Sequence, residues 1–188
     1  FSRNSIMLTI DDGPDPMWTP QYLRLLARYH VRATFSVIGV QVGPRAKWVR
    51  AAVGEGHHIA NHTFFHPLNL PSLPAARIRS EIADTTDAIV RASGFRPRQF
   101  RAPGGVWGPD VIAEAASHGM LPLGWDIDPR DWSLPGVSAI ASALLAARPH
   151  DILLCHDGGG DRSQTFAALQ RVIPALLARG WSFVTLPS

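Results

Sequence analysis

The segment S-I-M-L-T-I-D-D-G-P, residues 5–14, carries the first evidence about the fold. Its first six residues form an apolar run of the length that is typical of a buried strand. Asp11 and Asp12 follow at once, and Gly13-Pro14 then turns the chain. The pattern predicts a strand that ends in two neighbouring carboxylates, which point in different directions and can differ in role. An Asp-Gly-Pro sequence is also common in ordinary turns, and that interpretation stays open for the segment taken alone.

Six further segments of strand character follow along the chain, separated by stretches with helical periodicity. The predicted strands span residues 5–10, 33–38, 58–61, 99–101, 121–125, 151–155 and 181–186. The predicted helices span residues 20–29, 45–55, 74–93, 109–118, 137–147 and 164–179, with Thr19 as the first N-cap and a kink at Pro174. This alternation indicates right-handed crossovers and a parallel sheet. It leaves open whether the seven strands close into an irregular barrel or form an open, doubly wound sheet.

The composition is that of an ordinary globular protein. The chain has 188 residues, of which 46% are apolar and 18% charged, and these values argue against disorder. We expect a single domain over residues 1–188 that acts as a monomer. No apolar run approaches the roughly 18 residues that a membrane span requires. The single cysteine, Cys155, excludes an internal disulfide framework and a cysteine-rich zinc site, and we interpret it as a small core residue.

The positive charges are spread along the chain. The net charge is +3, and every basic residue except Lys47 is an arginine. Because no run of basic residues occurs, the sequence lacks the electrostatic stripe of a nucleic-acid-binding protein. A mildly basic surface suits an anionic polymer such as a bacterial wall. The chain starts at Phe1, so we expect any targeting segment to lie outside this sequence.

Two histidines, His62 and His66, are four residues apart. They lie on the same side if that segment is helical, and they can then present two imidazoles to one divalent metal ion. Adding Asp12 gives two histidines and one carboxylate, a set that leaves positions open for water and substrate. A histidine pair alone also fits a structural role. We interpret His57 and His58 as structural, because no third ligand is spaced beside them.

Arg101 follows a short predicted strand and precedes Ala102-Pro103-Gly104-Gly105. A guanidinium among carboxylates fixes the one with which it pairs. The glycines allow the backbone to approach a ligand closely, so that a free N–H there can stabilise an oxyanion. A surface arginine before a turn is the alternative for this motif taken alone.

Two further clusters follow later strands. Residues 125–132 contain three carboxylates and two indoles, an aromatic wall beside carboxylates that suits a sugar-binding groove. On the strand 151–155, Leu154 and the following His156 share one face, whereas Cys155 takes the other. A histidine at the end of a buried strand can be a core residue, but this one lies at the same predicted edge as the other clusters. We therefore expect it to act as a general acid.

The five clusters together resemble the motifs of the polysaccharide deacetylases, the NodB homology domain of carbohydrate esterase family four. The resemblance covers essentially the whole chain, and all five motifs occur in order. They are T-I-D-D-G-P at 9–14, H-T-F-F-H at 62–66, R-A-P at 101–103, D-P-R-D-W at 128–132 and L-C-H at 154–156. Ile10 replaces the usual Phe, and Gly104 stands where many members carry Tyr. The second departure puts the shape of the substrate in doubt rather than the chemistry.

The resemblance implies a fold and a set of roles. The fold would be a distorted (β/α) barrel with about seven parallel strands. The implied metal ligands are Asp12, His62 and His66, and the implied catalytic residues are the base Asp11, its partner Arg101, the acid His156 and its orienting residue Asp131. The implied substrate-binding residues are Gly104 for the oxyanion, Trp132 for a groove wall and Leu154 for the acetyl pocket.

The resemblance also implies a function. It is the metal-dependent hydrolysis of N-acetyl groups on amino-sugar polymers or oligomers, of the chitin or the peptidoglycan type. The cofactor would be one divalent ion, usually Zn2+, with Co2+ or Ni2+ as alternatives. The partner would be an acetylated glycan, and the protein would be secreted or associated with the cell wall. Two alternatives stay open, an O-acetyl esterase acting on acetylxylan and a glycan-binding domain without catalytic activity.

Overall fold

The computed structural model describes residues 3–186, which form seven strands and seven α-helices. The strands are β1 (Ser5–Asp11), β2 (Thr34–Val37), β3 (His58–Asn61), β4 (Gln99–Phe100), β5 (Leu121–Pro122), β6 (Ile152–His156) and β7 (Ser182–Phe183). The helices are α1 (Thr19–Arg28), α2 (Gly39–Val42), α3 (Ala46–Gly54), α4 (Ala75–Ser93), α5 (Pro109–Ser117), α6 (Val137–Leu145) and α7 (Ser163–Ala178).

The strands form one parallel sheet in the order β5-β4-β3-β2-β1-β6, and β7 pairs with the first residues of β1. The segment after β5 links the two outer strands. The amide of Leu123 donates to Phe100 on β4, and the carbonyl of Ile127 accepts from Leu154 on β6. The sheet therefore curls into a distorted (β/α) barrel, which confirms the fold expected from the resemblance and decides against an open sheet.

The first strand lies at the centre of the core. All seven residues of β1 are buried, as expected for a strand of a parallel sheet that is covered on both faces. Ile6, Leu8 and Ile10 pack in the main hydrophobic cluster between the sheet and the surrounding helices. A smaller cluster around Phe100 joins β4 to α4 and α5. The apolar run at residues 5–10 thus forms a fully buried strand that pairs with β2, β6 and β7.

The predicted elements are present, with boundaries that tertiary contacts have changed. The strand predicted over 121–125 is only two residues long, because the chain turns from β4 towards β6. The strand predicted over 181–186 is also reduced to two residues. The short helix α2 lies between β2 and α3 and was missed by the sequence analysis. Helix α7 contains Pro174 in its interior, and the kink expected there stays a prediction.

Thr19 is not the N-cap of α1, as the sequence analysis predicted. It is the first helical residue, and its hydroxyl donates to the buried carboxylate of Asp157. The amides of Met17 and Trp18, just before the helix, donate instead to Asp15 Oδ1, at 2.8 and 2.9 Å. The oxygen of the Thr19 hydroxyl, which a capping residue would use to accept an amide of the first helical turn, accepts the amide of Asp15 at 2.7 Å.

The register of the parallel strands positions the candidate site. Asp11 ends β1 directly beside His156, which ends β6. Asn61 ends β3 beside Phe100 on β4, so that the next residues, His62 and Arg101, leave the sheet together. In parallel α/β folds this edge is where active sites are built. Within residues 3–186, no helix has both the length and the apolar character that are needed to cross a bilayer.

Candidate active site

A cavity of about 490 Å³ opens at the carboxyl ends of the strands. The sequence-predicted residues that line it are Asp11, Asp12, His62, His66, Gly104, Trp132, Leu154 and His156. The remaining two, Arg101 and Asp131, are fully buried and contact residues of the lining from behind. The structure thus brings all ten predicted site residues to one place.

Asp12, His62 and His66 form a cluster of potential metal ligands. Asp12 Oδ1 lies 3.4 Å from His62 Nε2 and 3.3 Å from His66 Nε2. This oxygen is buried, and it has no hydrogen-bond partner among the described residues. A buried carboxylate oxygen without a partner, facing two imidazole nitrogens, is a donor set that fits a divalent cation such as Zn2+.

The surroundings of the cluster favour the ligand forms of Asp12 and His66 and orient the ring of His62. His62 Nδ1 lies 2.7 Å from the carbonyl oxygen of Arg101, which holds that ring so that Nε2 points to Asp12. Burial alone would raise the pKa of the Asp12 carboxyl, but the neighbouring His62 outweighs it and lowers that pKa to about 2. Burial and the charge of His62 lower the pKa of His66. Asp12 and His66 are therefore in the protonation state that metal binding requires at neutral pH. Burial alone would lower the pKa of His62, but Asp11 and Asp12 raise it, so a metal ion would have to displace a proton from this imidazole.

The two imidazoles do not converge through a helix, as the sequence analysis expected. Residues 62–66 form an irregular turn in which Thr63 and His66 have φ values of 65° and 59°. The amide of Thr63 donates to Asn61 Oδ1 at 3.0 Å, and the amide of His66 donates to Thr63 Oγ1 at 3.1 Å. These hydrogen bonds to side chains, rather than a helix, bring the rings of His62 and His66 together, and the ring centroids are 4.8 Å apart.

Arg101 fixes Asp11 beside this cluster. Its Nη1 donates to Asp11 Oδ1 and to Thr9 Oγ1, each at 2.7 Å. Its Nη2 and Nε donate to the carbonyls of Gly124 and Leu123, at 2.7 and 3.2 Å. The other oxygen, Asp11 Oδ2, lies 3.7 Å from the Nε2 of a metal-ligand candidate, His62. One carboxylate oxygen is thus held by the guanidinium, and the other faces the cluster.

His156 forms a second, separate pair with Asp131. Its Nδ1 lies 2.7 Å from Asp131 Oδ1, and its backbone amide donates to Asp131 Oδ2 at 2.9 Å. Burial alone would lower the pKa of His156, but the hydrogen bond and charge of Asp131, with smaller contributions from Asp11 and Asp12, raise it to about 9. The imidazole is therefore protonated at neutral pH and can donate a proton into the cavity.

Comparison with known proteins identifies the family. The family model described as polysaccharide deacetylase matches residues 1–123. A chitooligosaccharide deacetylase of Sinorhizobium fredii is 42% identical over 195 residues, covering 97% of this chain and 90% of that protein. The chain belongs to the polysaccharide deacetylase family.

Other relatives and solved structures agree. A peptidoglycan-N-acetylglucosamine deacetylase of Bacillus cereus is 40% identical over 184 residues, covering 96% of this chain and 85% of that protein. The structure of a family 4 carbohydrate esterase from Streptomyces lividans, in complex with acetate, superposes with a TM-score of 0.91. It is 31% identical, and the match covers 98% of this chain and 93% of that chain. The protein is therefore an enzyme, a hydrolase of the deacetylase class, and the non-catalytic alternative is set aside.

The rim of the cavity in this deacetylase carries exposed apolar side chains. Gly104 has a φ of 60°, and a Cβ at this position would lie 3.4 Å from Leu68 Cδ2. Leu68 and Trp132 are 63% and 48% exposed at the rim of the cavity, whereas Leu154 is buried in its wall. The exposed Leu68 thus stands beside the position that a larger side chain would occupy.

Several residues at the site of this deacetylase were not predicted from the sequence. Arg162 is almost fully buried in the cavity wall, and its Nε donates to the carbonyl of Gly158 at 2.7 Å. Among the described residues, no carboxylate forms a salt bridge with the Arg162 guanidinium. Asp157 is buried behind the site, and burial raises the pKa of its carboxyl to about 7. No feature of the sequence indicates Leu68. Asp157, in contrast, directly follows His156 at the end of a predicted buried strand, and this position indicates a residue near the site.

Proposed function

We propose that this deacetylase uses one divalent metal ion to hydrolyse N-acetyl groups on amino-sugar polymers or oligomers of the chitin or peptidoglycan type. The observation that carries the proposal is the unpartnered Asp12 Oδ1 facing His62 and His66, with Asp11 and His156 in the same cavity. The names of the Sinorhizobium and Bacillus relatives support N-deacetylation of these two glycan types.

Asp12, His62 and His66 would hold the ion. Their two nitrogens and one carboxylate oxygen suit Zn2+ best, and Co2+ and Ni2+ accept the same donors. When bound, the ion supplies a Lewis acid that polarises the acetyl carbonyl and makes a water molecule more acidic. Burying a carboxylate oxygen destabilises the fold unless a hydrogen-bond donor or a cation binds it. Asp12 Oδ1 is buried and accepts no hydrogen bond from the described residues, which supports its assignment as a metal ligand.

Asp11 is the general base of the proposed reaction. Arg101 occupies its Oδ1, so Oδ2 is the oxygen that can accept a proton from the attacking water. The backbone N–H of Gly104, at the cavity wall, would donate to the oxyanion of the tetrahedral intermediate. Leu154 would contact the methyl group of the acetyl, and Trp132 would form one wall for the sugar ring.

His156 is the general acid. The C–N bond breaks readily only if the departing amine receives a proton, and the raised pKa of His156 keeps that proton available at neutral pH. Asp131 binds Nδ1, which leaves Nε2 as the atom that donates. The acid and the base are thus held by two different buried partners, so that each can keep the protonation state its role requires.

Ester hydrolysis is the second candidate, since the Streptomyces neighbour is described as a carbohydrate esterase. The same base and ion would cleave an O-acetyl group, whose leaving alcohol needs less protonation. The amide reaction is favoured here because Asp131 and His156 form a dedicated proton donor.

We propose a single catalytic domain over residues 1–188 that works as a monomer, because the acid, the base and the candidate metal ligands of this chain line one cavity and the proposed reaction needs no further residue. A peptidoglycan substrate, as in the Bacillus relative, supports placement outside the cell or at its wall.

An acetate-release assay tests the proposal. Chitooligosaccharides, peptidoglycan and acetylxylan are compared at equal acetyl content, with the metal content of the same sample measured. We expect faster release from the N-acetylated glycans and about one ion per chain. The His66→Gln variant, which lacks one ligand, is the inactive control. Faster release from acetylxylan would overturn the N-acetyl assignment.

A further inference from the structure

Within the turn that carries His62 and His66, the only internal hydrogen bonds among the described residues are those of the Thr63 hydroxyl, to the amide of His66 and the carbonyl of His62. Its other bound backbone groups depend on residues outside the turn. Glu81, on helix α4, is 1% exposed. Its Oε2 accepts the amide N–H groups of both Phe64 and Phe65, each at 2.7 Å. These are two of the three residues between the histidines. A single buried carboxylate oxygen therefore binds the middle of the turn.

The backbone of the turn needs such support. Thr63 and His66 both have positive φ, a region that is unfavourable for residues with a Cβ. The carbonyls of Thr63 and Phe64 are bound by the amides of Gly39 and Val40, which hold the turn from the side of α2. From the other side, only Glu81 among the described side chains binds two amides of this turn.

Glu81 is itself held in place. Its second oxygen, Oε1, pairs with Arg77 Nη2 at 2.9 Å, one turn earlier on α4. The same arginine lies over the ring of Phe65, with 5.2 Å between the guanidinium carbon and the ring centroid. Asn61, which precedes the turn, donates from Nδ2 to the carbonyl of Ile82 at 2.8 Å. Helix α4 thus supports both the entry and the middle of the turn.

We propose that Glu81 is a positioning residue for the metal site, holding both histidine ligands at their distance from Asp12. The inference rests on the proposed metal site. In this conformation of the turn, the Nε2 atoms of His62 and His66 lie 3.4 and 3.3 Å from Asp12 Oδ1. Removing the carboxylate leaves two amides without an acceptor, and the turn relaxes. Both ligands then lose their common orientation, so that metal affinity falls.

The charge of Glu81 contributes as well as its position. Because both amides bind the same oxygen, a glutamine can still accept them through its carbonyl. It loses the strength of a charge-assisted bond and presents its NH2 group to Arg77. Glu81→Gln is therefore expected to keep the turn but weaken it, whereas Glu81→Ala removes the support.

Metal affinity is measured on metal-free protein by competition with a chromophoric chelator, for Zn2+ and Co2+. Wild type, Glu81→Ala, Glu81→Gln and Asp84→Asn are compared, the last removing an exposed carboxylate of the same helix. We expect the dissociation constant to rise about 10- to 100-fold in Glu81→Ala, as for other residues that orient metal ligands, and several-fold in Glu81→Gln. Asp84→Asn should bind as wild type does. The visible spectrum of the Co2+ form should change in Glu81→Ala.

Thermal unfolding of the metal-free variants separates positioning from general stability. A lower melting temperature with unchanged metal affinity in Glu81→Ala would overturn the inference and leave Glu81 a structural residue. If Glu81→Ala does not fold, wild-type affinity in Glu81→Gln overturns it equally. If wild type itself binds neither Zn2+ nor Co2+, the proposed metal site fails, and this result is distinct from the failure of Glu81 alone.

Discussion

The substitution Asp131→Asn tests the assignment of the general acid. Asp131 is fully buried and accepts three hydrogen bonds, two from His156 and one from the hydroxyl of Thr165 at 2.9 Å. Asparagine keeps the size of the side chain but removes its charge. Activity requires the imidazolium form of His156, so it falls as pH rises through the pKa of that group. Lowering the pKa must therefore move the alkaline limb of the pH–rate profile to lower pH.

The size of the effect follows from the contacts. The pKa of His156 is raised from about 6.5 to about 9 against the opposing effect of burial, and Asp131 is the largest of the groups that raise it. An opposite charge at hydrogen-bond distance changes a pKa by about 1–3 units. Asp11 and Asp12 retain their smaller contributions. We therefore expect the alkaline limb to move down by about 1–2 pH units, or about 1.4–2.7 kcal/mol. A bound cation lowers the pKa in both proteins, so the difference between them persists.

The assay is acetate release from a chitooligosaccharide between pH 5 and 10, with metal content measured for each protein. Thr165→Val is the matched control, because it removes one donor to Asp131 and leaves the pair with His156 intact. Its alkaline limb should stay within about 0.5 pH unit of wild type. An unmoved limb in fully metallated Asp131→Asn would refute the assignment. Asp128, an exposed carboxylate in the same cavity, would then be the next candidate.

Three further predictions concern the base, the ion and a buried acid. Asp11→Asn should keep its metal and lose about 100- to 10,000-fold in turnover, as for removal of a general base; loss of metal with activity would instead make Asp11 a ligand. Chelation should abolish acetate release and added Zn2+ or Co2+ should restore it, whereas full release by verified metal-free protein would contradict metal dependence. Asp157 has a pKa raised from 3.8 to about 7, so its favourable contribution to stability is complete below pH 4 and lost as pH rises through 7. Between pH 4 and 8, the free energy of unfolding, measured by denaturant titration, should therefore fall by about 2–4 kcal/mol less in Asp157→Asn than in wild type. If the two proteins have parallel profiles of unfolding free energy against pH, burial does not raise the pKa of Asp157.

The histidine pair shows where inference from sequence succeeds for a partly wrong reason. Four-residue spacing correctly brings His62 and His66 to one side, but through a hydrogen-bonded turn rather than a helix. The side chains of Asn61 and Glu81 produce that conformation. Glu81 lies outside every motif, and the sequence gives no sign that a helix residue 16 or 17 positions from Phe65 and Phe64 binds their amides.

The sequence by itself determined the order of strands and helices, the parallel sheet and the set of residues at its carboxyl edge. It could do so because apolar periodicity and the polar residues after each strand are local properties. Only the tertiary structure decided the closure of the barrel by Leu123 and Ile127, the partner of Thr19, and the burial of Arg101 against Asp11. These contacts join residues far apart in the chain, 90 positions in the case of Arg101 and Asp11. Such pairs depend on how the whole sheet curls, because each side chain finds its partner only after the strands between them have taken their register.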